Sequence, residues 1–494
     1  MQHHSSLFSH PKEDAVAGLV VFLVALPLCL GIAVACGVPP VSGLVAGIIG
    51  GLVVPLISRA PLSVSGPAAG LTSIVLVEVQ QLGGLTPFLA AVIVAGGLQA
   101  AFGALRFGRL AMLVPSSVIK GMLAAIGLTI VWKQLPVAVG VTGSLSAIAT
   151  AWHGGAAVIA LVSLAVLFGW KHTPMARVKL LSPALVAVVV ASAMAAWMKS
   201  VPALSLGAAH YVNVPLGDLA TLFSALPRPD VTAFSQGAVW LAGVTIAIVA
   251  SIETLLSLQA VDRLDPQKRH SPPDRELLAQ GLANVASGVF GGLPITAVIV
   301  RSGANVSAGG QQRLSALIHG GLLLVAVVFA GPLLNAIPTA CLAAVLIQVG
   351  LNLCRPALFA TQARLGLTQL LPFGVTIAAV MAFDLLKGVV VGILVGIGFV
   401  LYENAQRAVV AQREFGVLRV RFRRDGTFVS KPGIVSTLED VDDGETVIID
   451  GTGEYIDHDV KEVLATFIDD ARHRNIQVSL VGIDLGMAKA GGGH

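Results

Sequence analysis

Charged residues are scarce in this chain: Asp, Glu, Lys and Arg make up 12% of its 494 residues, whereas 55% are hydrophobic. With a mean hydropathy of +0.85, this composition excludes an ordinary water-soluble protein and predicts a polytopic membrane protein whose surroundings are a lipid bilayer. The net charge of +4 says little about partners, because Lys and Arg of membrane proteins gather in cytoplasmic loops. No nucleic-acid partner is expected.

Cysteine is also rare, and the chain lacks the spacing of metal ligands. Cys29, Cys36, Cys341 and Cys354 all fall within or at the ends of apolar runs, so we interpret them as small core residues. The polar C-terminal part contains no nucleophile–base or metal-ligand spacing. The sequence therefore predicts a protein that is not an enzyme and that holds no metal or cofactor.

Apolar runs recur along most of the chain. Runs of roughly 17–25 residues are long enough to span a bilayer, and two shorter ones begin near Pro67 and Pro294. The predicted segments are 14–36, 40–57, 67–79, 87–105, 116–134, 150–170 and 182–198 in the first half, and 237–260, 277–290, 295–307, 313–330, 337–354, 367–384 and 387–403 in the second. The fold class is thus an all-α membrane protein with about 14 transmembrane segments, two of them half-helices.

Polarity changes sharply after residue 404, which indicates a second domain. The predicted parts are a cytoplasmic tail (1–13), the transmembrane domain (14–404), a small cytoplasmic α/β domain (410–486) and a flexible tail (487–494). Within 410–486 we predict strands at 417–422, 446–450 and 477–481 and a helix over 458–473 that Asp457 caps.

Positive residues fall in alternate loops of the transmembrane domain. Arg106, Lys171 and Arg263 are examples, and each lies in a loop that follows an even number of segments. Since Lys and Arg favour cytoplasmic loops, both termini are expected in the cytoplasm, in a multi-pass protein of the inner cell membrane.

Two halves of the transmembrane domain resemble each other. Similar stretches begin at Pro115 and at Pro338, 223 positions later, and Pro67 and Pro294 lie 227 positions apart. Because each half has seven segments, an odd number, the second repeat (about 237–404) must be inserted upside down relative to the first (about 14–198). Inverted repeats are typical of alternating-access transporters.

Each half contains a proline-led interruption of an apolar run. The two interruptions are Ser65-Gly66-Pro67-Ala68-Ala69-Gly70 and Gly291-Gly292-Leu293-Pro294-Ile295-Thr296. Such breaks are typical of discontinuous transmembrane helices whose N-terminal amides face a polar cavity near the bilayer centre. In an inverted pair the two N-termini point at each other and attract an anion. The alternative is a pair of structural kinks without a ligand, since Gly and Pro are common in transmembrane helices.

These interruptions define a predicted anion site. Its residues are Pro67, Ala68, Ala69, Gly70, Thr72, Ile295, Thr296, Ala297 and Arg301. The backbone amides of 68–70 and 295–297 are the expected donors, because proline donates none and suits the first helical turn. Thr72 and Thr296 can add hydroxyl groups. Arg301 either supplies a positive field at the pocket or extends toward the cytoplasmic side.

An acidic residue, Glu253, lies deep in the apolar run 237–260. A carboxylate in that position is costly unless it is paired, hydrated or protonated. Glu253 and Ser257 share a helix face, and we predict that they form a coupling site for a proton or a small cation. The alternative is a structural ion pair between Glu253 and Arg301.

These residues resemble the sulfate permease (SulP) family of anion transporters. The matching stretches are 39–44, 65–70, 275–284, 290–294 and 301–309, and the resemblance spans most of the chain. It implies seven-plus-seven inverted repeats, a core domain that moves against a gate domain, substrate between the third and tenth helices, and a homodimer. Residues 410–486 look like a shortened STAS domain, the cytoplasmic module of this family.

The resemblance also implies a coupling ion and a substrate. Glu253 corresponds to a position that is Asp in sodium-coupled bicarbonate relatives and Glu in several proton-linked ones, so H⁺ is expected rather than Na⁺. The stretch 26–31 looks like a bacterial branch sometimes joined to carbonic anhydrases, which makes bicarbonate the first expected anion and sulfate the second. The expected function is secondary active transport of a small inorganic anion by symport or exchange, with an elevator-like shift. The alternatives are a sodium-dependent bicarbonate symporter, a dicarboxylate transporter, an anion channel, or a membrane anchor for a partner-binding STAS domain.

Overall fold

The chain forms two compact units. The computed structural model describes residues 7–108, 115–141, 146, 148–177, 182–215, 223–383, 385–406, 409–414 and 416–485. One unit consists of Met1–Arg364 and Phe373–Val390, and the other of Leu365–Pro372 and Val391–His494. The predicted tail 487–494 lies outside the described residues.

Helices make up most of the first unit. They are α1 Pro11–Ala35, α2 Pro40–Ile57, α3 Thr72–Gln81, α4 Leu85–Ala104, α5 Ser116–Ala138, α6 Gly154–Gly169, α7 Pro183–Met198, α8 Gly237–Leu264, α9 Pro273–Val289, α10 Ile299–Ala308, α11 Leu314–Phe329, α12 Thr339–Leu353 and α13 Pro356–Arg364. Two further helices, α14 Leu367–Ala382 and α15 Leu385–Gln406, are divided between the two units. Short α-helical or 3₁₀ turns lie at Ala69–Leu71, Ile148–Ala151, Trp170–His172, Pro174–Arg177, Ala208–His210, Val231–Ser235 and Gly331–Leu334. Among the described helices, seven are long and apolar enough to cross a membrane, and four more are apolar but shorter.

Every predicted apolar segment coincides with a helix, although some boundaries differ. Helix α1 begins at Pro11, so residues 11–13 belong to it rather than to the predicted tail. Proline suits the first helical position, and the acidic Glu13 and Asp14 favour the positive end of the helix dipole. Asp14 is also buried and accepts hydrogen bonds from the amides of Gln311 and Gln312, which fastens this end of α1 to the start of α11.

Two short strands interrupt the helices at the centre of the first unit. Strands β1 (Ser65–Pro67) and β2 (Ile295–Ala297) pair antiparallel, with Gly66 opposite Thr296. The prediction that helices begin at Pro67 and Pro294 is therefore wrong: α3 starts at Thr72 and α10 at Ile299. The β-branched Ile295 and Thr296 favour extended backbone, and a proline is tolerated at the edge of such a small sheet.

A polar stripe on α9 satisfies the backbone and side chains of these strands. Glu276, Gln280, Asn284 and Ser287 follow each other at helical spacing, and all four are fully buried. Gln280 donates to Ser65 Oγ (2.6 Å), and Asn284 both accepts from the Ile295 amide (2.6 Å) and donates to its carbonyl (2.9 Å). Ser287 donates to the Leu293 carbonyl (2.6 Å). Buried peptide groups need such partners where neither helix nor water provides them.

Equivalent glycines of the two repeats contact each other where α5 crosses α12. The matching stretches at Pro115 and Pro338 equate Gly127 with Gly350. A Cβ built on Gly127 would lie 2.5 Å from the Gly350 carbonyl oxygen, and one built on Gly350 would lie 2.7 Å from the Gly127 carbonyl oxygen. Small residues allow this close approach of helix backbones, and the contact is reciprocal, as a two-fold axis between the halves requires.

The positive loops gather on one face of the first unit. Arg313 donates to the carbonyls of Pro55 and Ser58 at the end of α2, and Arg275 donates to the carbonyl of Ile57. Arg269, in the loop after α8, donates to the carbonyl of Gln311. These bonds join the loops that follow α2, α8 and α10, so these three loops share a positively charged surface.

The second unit contains a four-stranded sheet in the order β3–β4–β5–β6. The strands are β3 Val409–Glu414, β4 Val417–Phe422, β5 Thr446–Asp450 and β6 Gln477–Val481, with α16 Lys431–Glu439, α17 His458–His473 and a 3₁₀ turn at Phe428–Ser430. Only β3–β4 is antiparallel among these pairs. The predicted strands and helix are confirmed, and Asp457 caps α17 by accepting from the Val460 amide (3.0 Å).

We predict that Asn284→Ala lowers the free energy of unfolding by about 1–3 kcal/mol, because it leaves the buried Ile295 amide without an acceptor. Thermal unfolding of the detergent-solubilised protein, followed by tryptophan fluorescence, measures the effect. Ser163→Ala is the matched control, since buried Ser163 donates to the carbonyl of its own helix at Ile159 and its loss leaves no backbone amide without an acceptor. Equal losses for both variants would contradict this role of Asn284.

Candidate functional site

A cavity of about 350 Å³ lies beside the two strands. The turn before α3 lines it through Ala69 and Gly70, and the start of α10 lines it through 298–300. Glu253 and Ser257 on α8 face the same space, as their helical spacing predicts. The cavity thus brings together four of the predicted site residues.

The amides available at the second helix start are not the predicted ones. The Ile295 amide donates to Asn284 and the Ala297 amide donates to Thr254 Oγ1 (3.3 Å). The Val298 amide donates to the Val64 carbonyl. Because hydrogen-bonded pairs alternate with non-bonded pairs along antiparallel strands, Gly66 and Thr296 form the next hydrogen-bonded pair, which uses the Thr296 amide. The prediction that amides 295–297 are free donors is therefore wrong, because the strand and its neighbours use all three.

The free amides lie one turn further along the chain. No acceptor within the described ranges bonds to the amides of Ile299, Val300 or Arg301, which form the first turn of α10. Ile299 and Val300 line the cavity. The positive end of α10 therefore faces the cavity as predicted, but the residues that carry it are 299–301 rather than 295–297.

The first helix start agrees better with the prediction. Ala68 and Ala69 have amides without an acceptor in the described part of the chain, and Gly70 lies against the Glu253 carboxylate. Pro67 lies in β1 rather than at a helix start. The Thr72 hydroxyl donates to the Ala69 carbonyl (2.8 Å), so it stabilises this turn.

Glu253 contacts the start of α3 and not Arg301. A Cβ built on Gly70 would lie 2.7 Å from Glu253 Oε1, so only glycine allows this approach. The other carboxylate oxygen, Oε2, is buried and has no hydrogen-bond partner within the described residues. The alternative of a Glu253–Arg301 ion pair is wrong for the structure described here, since the described ion pairs do not include it.

Arg301 is fully buried and lies behind β1, outside the cavity lining. Its Nη2 donates to Cys29 Sγ (3.4 Å), and a Cβ on Gly66 would come within 1.9 Å of its Nη1. Nε and Nη1 have no acceptor among the residues that the structure describes. Of the two alternatives for Arg301, its burial next to the strands excludes extension to the surface and favours a positive field. Low polarity there leaves this field weakly screened.

Four cavity residues with polar side chains were not predicted to belong to the site. Ser116 and Lys120 on α5 and Gln259 and Arg263 on α8 also line the cavity. Their signal was present, because Gln259 and Arg263 continue the face of α8 that carries Glu253 at helical spacing. The sequence alone does not indicate which face of α5 turns toward α8.

A second and much smaller cavity lies beyond Ala69. Its volume is about 10 Å³, room for about one water molecule. Thr72, Ser73 and Lys133 contribute to its lining, while Ala69 and Ile126 line both cavities. These two side chains therefore separate the larger cavity from the smaller one.

Comparison with known proteins identifies the family. The sequence pattern of the sulfate permease family matches residues 12–380. The chain belongs to the sulfate permease family. This confirms the predicted family and the prediction of a transporter rather than an enzyme.

Relatives with named functions support the same family. "Putative sulfate transporter YvdB" of Bacillus subtilis is 26% identical over 515 residues, which cover 96% of this chain and 91% of that protein. The bicarbonate transporter BicA of Picosynechococcus is 27% identical over 364 residues, which cover 70% of this chain and 62% of BicA.

Solved structures share the fold. The transmembrane domain of a cyanobacterial bicarbonate transporter BicA superposes with a TM-score of 0.66 at 23% identity, over 79% of this chain and 98% of that one. The murine anion transporter Slc26a9, in its inward-facing state, gives a TM-score of 0.77 at 19% identity, over 97% of this chain and 87% of that one. Together with the apolar helices, the family makes this chain a multi-pass membrane protein.

We predict that the larger cavity admits water from the side of the C-terminal end of α8, where Arg263 lines it. A cysteine at Ser257, which lines the cavity, should react with a water-soluble maleimide added on that side. The control is Ser163→Cys, because Ser163 is buried away from both cavities. The four native cysteines are buried and give little background. Equal labelling of both variants would exclude an open cavity.

Proposed function

We propose that the chain is a secondary active transporter that carries a small inorganic anion through the larger cavity. One observation carries this proposal: free amides at the starts of α3 and α10 converge on that cavity, with the guanidinium of Arg301 behind them. Helix N-termini and unneutralised positive charge are what an anion requires. The family is consistent with this activity.

Bicarbonate is the first proposed substrate and sulfate the second. Peptide amides select for charge and size, and both anions are small and carry several acceptor oxygens. The relatives whose names include sulfate or bicarbonate support this choice. The alternatives are transport of a dicarboxylate and sodium-dependent transport of bicarbonate. The transport assay described below tests both.

Proton coupling through Glu253 follows from its contact with the anion site. The carboxylate lies against Gly70, next to Ala69, whose amide has no acceptor among the described residues. An ionised Glu253 would repel an anion bound there, and a protonated Glu253 would not. Anion and proton then favour each other's binding, which is the reciprocal linkage that symport needs. H⁺ is therefore the proposed coupling ion, and Na⁺ the less favoured one.

Transport is proposed to follow an elevator-like alternating-access cycle. The cavity is wide on one side of Ala69 and Ile126 and nearly closed on the other, which favours a carrier over an open channel. The carrier has about 14 segments in two inverted repeats, and the helix starts of α3 and α10 move together as one core.

The orientation and assembly of the protein are part of the same proposal. The clustered arginines after α2, α8 and α10 favour a cytoplasmic position for that face. Both termini are then cytoplasmic in the inner cell membrane, and the larger cavity faces inward. The second unit is proposed to be a STAS-like domain, and the protein to be a homodimer.

Reconstitution into proteoliposomes tests the transport activity. We expect saturable uptake of labelled bicarbonate, weaker uptake of sulfate, and faster uptake when the side that supplies the anion is acidic. Parallel assays with a sodium gradient and with a labelled dicarboxylate separate the other modes. Uptake that neither saturates nor responds to the pH gradient would indicate a channel, and absence of uptake of every anion would refute transport.

For coupling, we predict that Glu253→Gln abolishes the acceleration of uptake by a proton gradient. Glutamine imitates the protonated acid in size and lack of charge, so anion binding should persist while its pH dependence is lost. Initial uptake rates of wild type and of Glu253→Gln are compared between pH 5.5 and 8. This range spans the pH at which a proton-linked group is expected to work. Glu276→Gln is the control, since Glu276 is a buried carboxylate on α9 that bonds to Ser58 and Gln280 outside the cavity. A wild-type pH profile in Glu253→Gln would refute the coupling role.

A further inference from the structure

One face of α5 runs past both cavities. Ser116, Lys120 and Leu123 line the larger cavity, Ile126 lines both, and Thr129 and Lys133 line the smaller one. These positions follow at intervals of three or four residues, so they form one stripe on the helix. The stripe continues without interruption from one side of the Ala69–Ile126 constriction to the other.

Helix α12 supports the same order of the two cavities. Val349 and Leu353 line the larger cavity, whereas Leu346 lines the smaller one. Helices α5 and α12 cross at Gly127 and Gly350, close to the constriction at Ile126. The smaller cavity is therefore a continuation of the larger one along the same two walls.

Five of the ten residues that line the smaller cavity have polar side chains. Thr72 and Ser73 contribute from α3, and Thr129, Lys133 and Gln134 contribute from α5. Polar side chains within an apolar helix bundle are typical of a route for a hydrophilic solute. At about 10 Å³ the route is closed in this conformation.

Lys133 is the positively charged residue in the lining of the smaller cavity. It is half-buried, and no carboxylate of the described residues lies within ion-pair distance of it. Lys120 lines the open cavity on the same stripe, and the helix rise separates the two lysines by about 20 Å. Each side of the constriction thus has one lysine on the shared wall.

We propose that Lys133 attracts the anion in the second access route, as the counterpart of Lys120 in the first. This inference rests on the proposed transport function. When the constriction at Ala69 and Ile126 opens toward the smaller cavity, an anion reaches the helix starts past Lys133. A fixed positive charge in a narrow, apolar-walled route raises the local anion concentration. Lys133 therefore acts on access of the anion from one side, without contact with the central site.

Transport measured separately from the two sides of oriented proteoliposomes tests this assignment. We expect Lys133→Gln to raise KM from the Lys133 side by roughly tenfold, the lower end of electrostatic enrichment, with kcat unchanged and with a weaker dependence of KM on ionic strength. Lys133→Arg should keep the wild-type values. Lys120→Gln is the matched control and should raise KM only from the opposite side.

Chemical restoration of the charge separates this role from a structural one. After Lys133→Cys, a thiol reagent that adds an aminoethyl group should restore the wild-type KM, and one that adds a sulfonate should raise KM further. Wild-type protein treated in the same way controls for the buried native cysteines, including Cys36.

Two results would overturn the inference. If wild type transports but the KM of Lys133→Cys is the same with either added group, Lys133 has no electrostatic role in access. If kcat falls in Lys133→Gln and KM from that side does not change, its role is structural. Absence of transport by wild type would overturn the proposed function together with this inference.

Discussion

The membrane unit depends on the hydrogen bonds that α9 makes to two strands at its centre. Strands β1 and β2 leave peptide groups without helical partners, and Gln280, Asn284 and Ser287 bond to residues in or next to these strands. Such groups would otherwise be unsatisfied in an apolar interior, at a cost of several kcal/mol each. Because these bonds hold the strands, the starts of α3 and α10 are fixed beside one cavity, and their free amides can serve a ligand instead of the fold.

The sequence was sufficient to predict the helices but not the strands between them. Helix positions depend on local apolar runs and their ends, so every predicted segment coincides with a helix. The same holds for the second unit, where alternation along 417–422 and the cap at Asp457 are local signals. A proline before a helix and a proline before a strand look alike in sequence, however, and the pairing of Gly66 with Thr296 joins residues far apart in the chain.

The site shows the same division between local and long-range information. The shared face of Glu253 and Ser257 follows from helical spacing, and both line the cavity. The direction of Arg301 could not be predicted, because it depends on the space left by Gly66 and on contact with Cys29 in another helix. Likewise, the free amides moved from 295–297 to 299–301 because Asn284 and Thr254 take up the earlier ones.

The buried guanidinium of Arg301 gives the proposed anion transporter a means of disfavouring cations without a dedicated filter. Its charge has no carboxylate partner among the described residues, and it lies behind strands that separate two positive helix ends. A potassium ion that entered the cavity would meet repulsion from all three sources, whereas an ionised Glu253 would attract it. The backbone arrangement and one side chain outside the cavity thus favour a negative solute before the charged residues of the lining act, so a protonated Glu253 leaves the site positive on every other side.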